Sequence, residues 1–394
     1  MRISARAQRV QPFYVMEMAK SAAAIAREAA GSAQPMIYLN IGEPDFTAPP
    51  LVAEAAERAI RDGHTQYTQA TGLPQLRERI SQWYADRFGL QVSARRIVVT
   101  AGASAALQLA CLALIEAGDE ILMPDPSYPC NRQFVSMAEG RAVMIPSTAA
   151  ERFQLSADKV RQAWGAHTRG VMLASPSNPT GTSIHPDELA RIHAVVSERG
   201  GITLIDEIYL GLSYEDTYGH SALALDDQII SINSFSKYFN MTGWRLGWMV
   251  VPDAMVPVVE RLAQNLFICA STISQHAALA CFEAESIAEY ERRRAEFKAR
   301  RDYFIPELNK LGLSVPVMPD GAFYAWADCT QVAHRLGVDG SWDFAFELMR
   351  RAHLAITPGR DFGTADTARH VRFSTANSMA QLQEAVSRLQ RLIG

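Results

Sequence analysis

Between residues 96 and 250 the chain alternates short β-branched runs with helical stretches, and no other feature limits its fold so strongly. The runs are Ile97-Val98-Val99, Glu120-Ile121-Leu122-Met123, Ala142-Val143-Met144-Ile145, Val171-Met172-Leu173, Ile202-Thr203-Leu204-Ile205, Ile229-Ile230-Ser231-Ile232 and Leu246-Gly247-Trp248-Met249-Val250-Val251. Strands that are apolar on both faces must be covered on both faces, and strands joined through helices run parallel. The expectation is an α/β fold with a mostly parallel seven-stranded sheet clad in helices. In such sheets ligands collect at the carboxyl ends of the strands.

The residues that follow five of these runs carry chemistry. After the first comes Gly102-Ala103-Ser104, opening a helix whose free N–H groups and dipole suit a phosphate. After the second comes Pro124-Asp125-Pro126-Ser127-Tyr128-Pro129, a rigid turn that presents an aromatic ring. Ser175-Pro176-Ser177-Asn178-Pro179-Thr180-Gly181 follows the fourth, and Asp206, Glu207 and Tyr209 follow the fifth. The sixth runs into Ser234-Phe235-Ser236-Lys237, with Arg245 beyond. The Lys237 ammonium is costly to desolvate, so burial and neighbouring cations favour its neutral amine, the form that condenses with an aldehyde. Ser234, Ser236 and Arg245 can then hold a phosphate. Taken singly, Lys237 reads as a solvated loop lysine, Asp206 as a helix cap, Asn178 as a turn residue and Tyr209 as core. Their convergence on one cleft outweighs those readings.

The flanking regions have a different texture. Residues 1–48 read as an arm and part of a smaller domain: a helix over residues 14–31 stopping at Gly31, then a short strand Ile37–Ile41 running into the Gly42-Glu43-Pro44 turn. Residues 49–285 make the large domain. It begins with helices near Pro50–Asp62 and Leu73–Phe88, the latter with Leu76, Ile80, Trp83 and Tyr84 on one face. Residues 286–394 read as a smaller α+β domain, with a charged helix from Glu285 to Lys310 and short strands near Leu313–Val315 and Ala322–Trp326. It continues with a helix near Trp342–Ala352, the run Val371-Arg372-Phe373-Ser374 and a last helix Met379–Leu392.

Composition removes several function classes. A net charge of -4 leaves no electrostatic footprint for nucleic acid or an anionic membrane, and no apolar run is long enough to span a bilayer. Five scattered cysteines without a Cys-x-x-Cys argue against disulfides and zinc, so a reducing cytoplasmic setting is expected. The nine histidines form no metal-ligand spacing, and no metal is expected.

The ordered series Gly42-Glu43-Pro44-Asp45-Phe46, Asn178-Pro179-Thr180-Gly181, Asp206-Glu207-Ile208-Tyr209, Ser234-Phe235-Ser236-Lys237 and Gly243-Trp244-Arg245-Leu246-Gly247, closed by Arg372, resembles the class I/II aminotransferases. These are fold-type I pyridoxal-phosphate enzymes of the aspartate/aromatic aminotransferase kind, and the likeness extends over nearly the whole chain. The resemblance implies pyridoxal 5'-phosphate as cofactor, with Lys237 similar to the Schiff-base lysine that also moves the substrate proton. It implies that Asp206 pairs with the pyridinium nitrogen, that Asn178 and Tyr209 hold the phenolic oxygen, and that Tyr128 stacks on the ring. Ala103, Ser104, Ser234, Ser236 and Arg245 match the phosphate cup. Arg372 matches the arginine that takes the substrate α-carboxylate, with Gly42 adding a backbone contact. Tyr67 is similar to a tyrosine that reaches the neighbouring subunit's phosphate, which implies a homodimer.

One departure bears on substrate. Aspartate-preferring members often carry a lysine early in the phosphate-binding turn, where this chain has Ser104. The expectation is therefore ping-pong transfer from neutral or aromatic amino acids rather than dicarboxylates, with Phe13, Tyr14, Phe323 and Tyr324 near the pocket. The alternative on the same scaffold is a C–S β-lyase or a cyclopropane-forming lyase. A cofactor-sensing regulator would need a DNA-binding extension, and a nicotinamide dehydrogenase would need a Gly-x-Gly-x-x-Gly turn that is missing here.

Overall fold

The computed structural model describes residues 1–12, 14–28 and 34–393. In chain order the strands are β1 (Ile37–Tyr38), β2 (Ile97–Thr100), β3 (Glu120–Asp125), β4 (Arg141–Pro146), β5 (Thr168–Ala174), β6 (Ile202–Asp206), β7 (Ile230–Ser234), β8 (Gly247–Val250), β9 (Tyr324–Asp328), β10 (Leu354–Ala355), β11 (Thr357–Pro358) and β12 (His370–Ser374). The seven expected runs form one sheet in the order β2-β8-β7-β6-β5-β3-β4. β8 is antiparallel to β2 and β7, and every other pair is parallel. The exception has a local cause. A parallel return needs a long crossover, usually helical, whereas β7 reaches β8 through a turn whose one regular piece is the short Thr242–Trp244. That turn carries Lys237, and the arrangement leaves it at the carboxyl end of β7 beside the end of β6.

Aromatic packing fixes the lysine turn from behind. Trp248 on β8 is fully buried and donates from Nε1 to the Tyr84 hydroxyl at 3.1 Å. Its ring lies 5.0 Å from Phe235 and 5.8 Å from Trp83, while Phe239 packs 5.0 Å from Phe235. With Phe235, Tyr238 and Phe239 all facing this core, Lys237 points the other way and lines the cleft with Ser236, Thr242 and Arg245 of the same turn.

The second unit is built on β11-β12-β9, an antiparallel sheet with β12 in the centre, and on a parallel pair β1-β10. The apolar run near Leu313–Val315 is not a strand: Ser314 makes one isolated bridge to Asp328 and the run ends there. The 27-residue helix Ala284–Lys310 begins one residue before position 285, the last residue expected of the large domain. The arm helix Tyr14–Glu28 buries Met18 and Ala22 against Ile37, Leu39 and Leu354, so the start of the chain packs on its end. The expected helix stop at Gly31 lies outside the described residues, as does Phe13.

Trp248→Ala should lower the unfolding free energy by about 3–5 kcal/mol, the usual cost of emptying an aromatic core site. Trp248→Phe, which keeps most of the volume, should lose less than half of that. Urea unfolding followed by far-UV circular dichroism checks both, and a loss below about 1 kcal/mol for the alanine variant would contradict this packing account.

Candidate active site

The carboxyl ends of β2, β3, β5, β6 and β7 open into one cavity of about 550 Å3. Ala103, Ser104, Tyr128, Asn178, Asp206, Tyr209, Ser234, Ser236, Lys237, Arg245, Gly42 and Arg372 all line it. Of the cofactor- and substrate-binding residues expected from sequence, Tyr67 stands elsewhere, 78% exposed on the outer surface.

One end of the cavity suits an anion. The helix Ala103–Leu114 starts here without a side-chain cap, so its first N–H groups point into the space. Gly102 precedes it at φ +82°, and a Cβ at this position would sit 2.8 Å from Arg245 Nη2. Glycine is what lets the guanidinium lie against the helix start. The Ser234 and Ser236 hydroxyl residues complete this end, with Ser234 Oγ accepting from Ser236 N at 3.0 Å.

The middle holds two ionisable groups away from their ordinary behaviour. Burial pushes the Asp206 carboxyl up to about 7; the Ile208 N–H at 3.1 Å and the charge on Lys237 pull the other way. Burial brings the Lys237 ammonium down to about 8, opposed by Glu43 and Asp206 and assisted by Arg372 and Arg245. Lys237 Nζ donates to the Gly42 carbonyl at 2.5 Å. A Cβ on Gly42 would meet the Tyr324 hydroxyl at 2.6 Å, so only glycine brings this backbone so close. Tyr209 and Tyr324 share a hydrogen bond of 2.6 Å between their hydroxyls.

At the far end Arg372 rises from β12, buried and held on several sides. Its Nη1 donates to Asn178 Oδ1 at 2.9 Å and its Nη2 to the Asn40 carbonyl at 2.7 Å. The guanidinium lies over the Tyr324 ring at 4.5 Å and the Phe362 ring at 5.1 Å. Arg372 Nε and both polar atoms of the Asn40 side chain are buried without a hydrogen-bond partner among the described residues. Unmet polar atoms facing a cavity mark where a polar ligand group completes the wall.

Sequence reasoning missed part of this wall. Asn40 interrupts the apolar run Ile37–Ile41, and that break was its signal. Val15, Met16 and Ala19 of the arm helix also line the cavity, and nothing local announces a helix that crosses to a distant site. Tyr324 is in the wall as expected, and Phe323 packs behind Tyr209 with ring centroids 5.7 Å apart. Tyr14 is turned away: its ring meets Trp342 at 6.0 Å and the Arg360 guanidinium at 4.6 Å.

No group of three or more His, Cys, Asp or Glu is placed to hold a metal, and no helix is long and apolar enough to cross a membrane, among the described residues. All five cysteines are free.

An amine and an acid buried together at the strand ends, between an uncapped helix start and a buried arginine, are what the resemblance to the class I/II aminotransferases implies. Comparison with known proteins bears this out: residues 34–389 match the model for aminotransferase class I and II, and the chain belongs to that family. It is similar to a valine–pyruvate aminotransferase of Mycobacterium tuberculosis, 36% identical over 381 residues that cover 96% of each chain. An aspartate aminotransferase of Geobacillus stearothermophilus is 32% identical over 93% of this chain and 94% of its own. Among solved structures, an aminotransferase from Mycobacterium tuberculosis superposes with a TM-score of 0.94 at 35% identity, covering 100% of this chain and 99% of the other.

The lowered lysine gives a direct expectation. Labelling of Lys237 by a small acylating reagent, followed by mass spectrometry, should rise with pH as its neutral fraction grows, with its midpoint near pH 8 and a plateau above that. Ordinary exposed lysines keep gaining reactivity towards about pH 10.4. A Lys237 profile that climbs in step with theirs would contradict the burial of its amine.

Proposed function

We propose that the cavity holds pyridoxal 5'-phosphate and that the enzyme moves an amino group from a neutral or aromatic L-amino acid to a 2-oxo acid in two successive half-reactions. The buried Lys237–Asp206 pair facing Arg372 in one cavity carries this reading. When bound, the cofactor supplies an electron sink for the charge that develops at the donor α-carbon. Ala103, Ser104, Ser234, Ser236 and Arg245 would hold its phosphate, Tyr128 its ring face, and Asn178 with Tyr209 its phenolic oxygen. Asp206 would face the ring nitrogen; a carboxyl raised by burial ionises once a cationic partner lies against it.

Lys237 is the base for the α-proton. With its ammonium brought down to about 8, the amine is in part neutral near pH 7 and can take a proton from the donor α-carbon and return it elsewhere. Arg372 would bind the α-carboxylate through two parallel N–H···O bonds. Gly42 would add a backbone contact to the same group.

The donor preference follows from what remains. Among the described residues lining the cavity the cations are Lys237, Arg245 and Arg372. Each is committed to amine chemistry, phosphate or α-carboxylate, so none is left for a second carboxylate. Val15, Met16, Ala19 and Ile41 offer apolar surface instead. The relative named as a valine–pyruvate aminotransferase supports the same choice.

A homodimer is part of this proposal, with Tyr67 reaching the neighbouring phosphate. Tyr67, Ile60, Leu266 and Ile268 are large apolar side chains left exposed. Thr272 donates to the Gln66 carbonyl at 2.6 Å, which draws the two segments together. Apolar patches of this kind are covered in assemblies. A cytoplasmic location is proposed from the five free thiols.

A donor screen against one fixed 2-oxo acid tests the reading. Neutral or aromatic amino acids should exceed aspartate and glutamate in kcat/KM by at least about tenfold, the discrimination a missing charge partner supplies. Lys237→Ala should abolish turnover, and Arg372→Ala should raise KM roughly 30-fold or more, since a lost buried charge partner costs about 2–5 kcal/mol. Release of pyruvate and ammonia without any 2-oxo acid would mean a lyase instead.

A further inference from the structure

Asp361, which is not among the site residues expected from sequence, performs a task that none of them shares. It sits in the short turn Gly359–Asp361 and is fully buried. Its carboxylate accepts the backbone N–H of Val15 at 2.8 Å and of Tyr14 at 3.2 Å. These are first-turn donors of the arm helix, which have no partner within the helix itself. A residue near the end of the chain therefore caps a helix at its beginning. Burial raises the pKa of this carboxyl; the two N–H bonds and the charges of Arg132 and Arg372 work against that. The positive end of the helix adds to the same balance.

The turn that bears Asp361 is itself immobilised. Arg132 Nη2 donates to the Asp361 carbonyl at 2.9 Å, and Ser127 N donates to the Phe362 carbonyl at 2.8 Å. Thr364 N and Ala365 N both donate to the carboxylate of Asp125 at the end of β3, at 3.0 and 3.1 Å. Phe362 packs with Val15, Phe153 and Trp326, and its ring underlies the Arg372 guanidinium. The anchor of the arm helix and the floor of the carboxylate site are consecutive residues.

What the helix presents to the cavity is apolar: Val15, Met16 and Ala19, the first and last one turn apart on the same face. We infer that Asp361 is a specificity-determining positioning residue. By pinning the arm helix across the cavity it makes Val15, Met16 and Ala19 the wall that meets the donor side chain. Methionine suits such a wall, because its unbranched chain adapts to side chains of different shape. The inference rests on the donor reading above and deepens it.

The test uses the cofactor-loaded enzyme and a donor series from alanine through leucine to phenylalanine. In Asp361→Ala, kcat/KM for leucine and phenylalanine should fall at least about tenfold further than for alanine, chiefly through KM, the scale set by one or two lost apolar contacts. Asp361→Asn, which keeps one carbonyl oxygen for Val15 N, should recover most of the difference. Hydrogen exchange gives a reading independent of turnover: the Val15 amide should exchange far faster in Asp361→Ala than in the unmodified protein. Met16→Ala should reproduce the shift in selectivity with the Val15 amide still protected. An equal loss for all donors, or an unchanged donor order despite faster exchange at Val15, would overturn the inference. Failure of the donor reading shows differently, as a preference of the unmodified enzyme for aspartate or glutamate, and this inference then falls with it.

Discussion

Desolvation of two opposite charges at neighbouring strand ends is the constraint on which this structure depends. Asp206 closes β6 and Lys237 follows β7, its parallel neighbour, in a cleft that excludes enough water to bring the two pKa values to about 7 and about 8. A carboxyl raised from 3.8 to about 7 costs the folded state about 4 kcal/mol above neutral pH, at 1.36 kcal/mol per unit. Its sign is plain: the folded form holds its proton longer than the unfolded form, so stability falls as pH rises between those values. Against a net stability of about 5–15 kcal/mol for a whole domain, such a site needs a strong foundation. The rings of Trp83, Trp248, Phe235 and Phe239 supply it directly behind the lysine turn.

Topology turns that foundation into geometry. Because β7 returns through β8 without a crossover helix, the lysine turn lies at the cleft and is clamped between the sheet and the aromatic layer. The long helix Ala284–Lys310 then ties the opposite lip to it. Arg293 donates to the Thr47 carbonyl at 2.5 Å and to Asn240 Oδ1 at 2.8 Å, and Arg300 to Asp45 Oδ1 at 2.7 Å. The Gly42–Phe46 turn, which supplies the carbonyl that Lys237 bonds, is thereby held to the segment that carries Lys237. Arg372 comes from the three-stranded sheet but bonds Asn178, which follows a strand of the seven-stranded one. The cavity is lined from both sheets.

Much of this was legible in the sequence, and for physical reasons. Runs such as Val171-Met172-Leu173 are apolar on every position, which only a strand covered on both faces tolerates, and the groups following such strands have one cleft to face. Leu313–Val315, interrupted by Ser314, lacks that continuity and makes only a single bridge, from Ser314 to Asp328. Tyr14 and Val15 show the limit more sharply. Adjacent residues on a helix face different directions, and which of them meets the cavity depends on how the helix is docked, which Asp361 decides from 346 positions away. Nothing in the neighbourhood of either residue encodes that bond. Asn40 was readable in principle, since a fully buried asparagine within an apolar run requires a partner that the run does not contain.

The central claim is that the cleft holds its acid and its amine in a desolvated state before any cofactor arrives. Carbon-13 NMR of the carboxyl groups, recorded against pH on the cofactor-free protein and assigned by comparison with Asp206→Asn, tests it most directly. The account predicts one aspartate signal, missing from the variant, that titrates near pH 7. If that signal instead titrates near pH 4, the carboxyl sees water like any surface aspartate, and the account of this site is wrong.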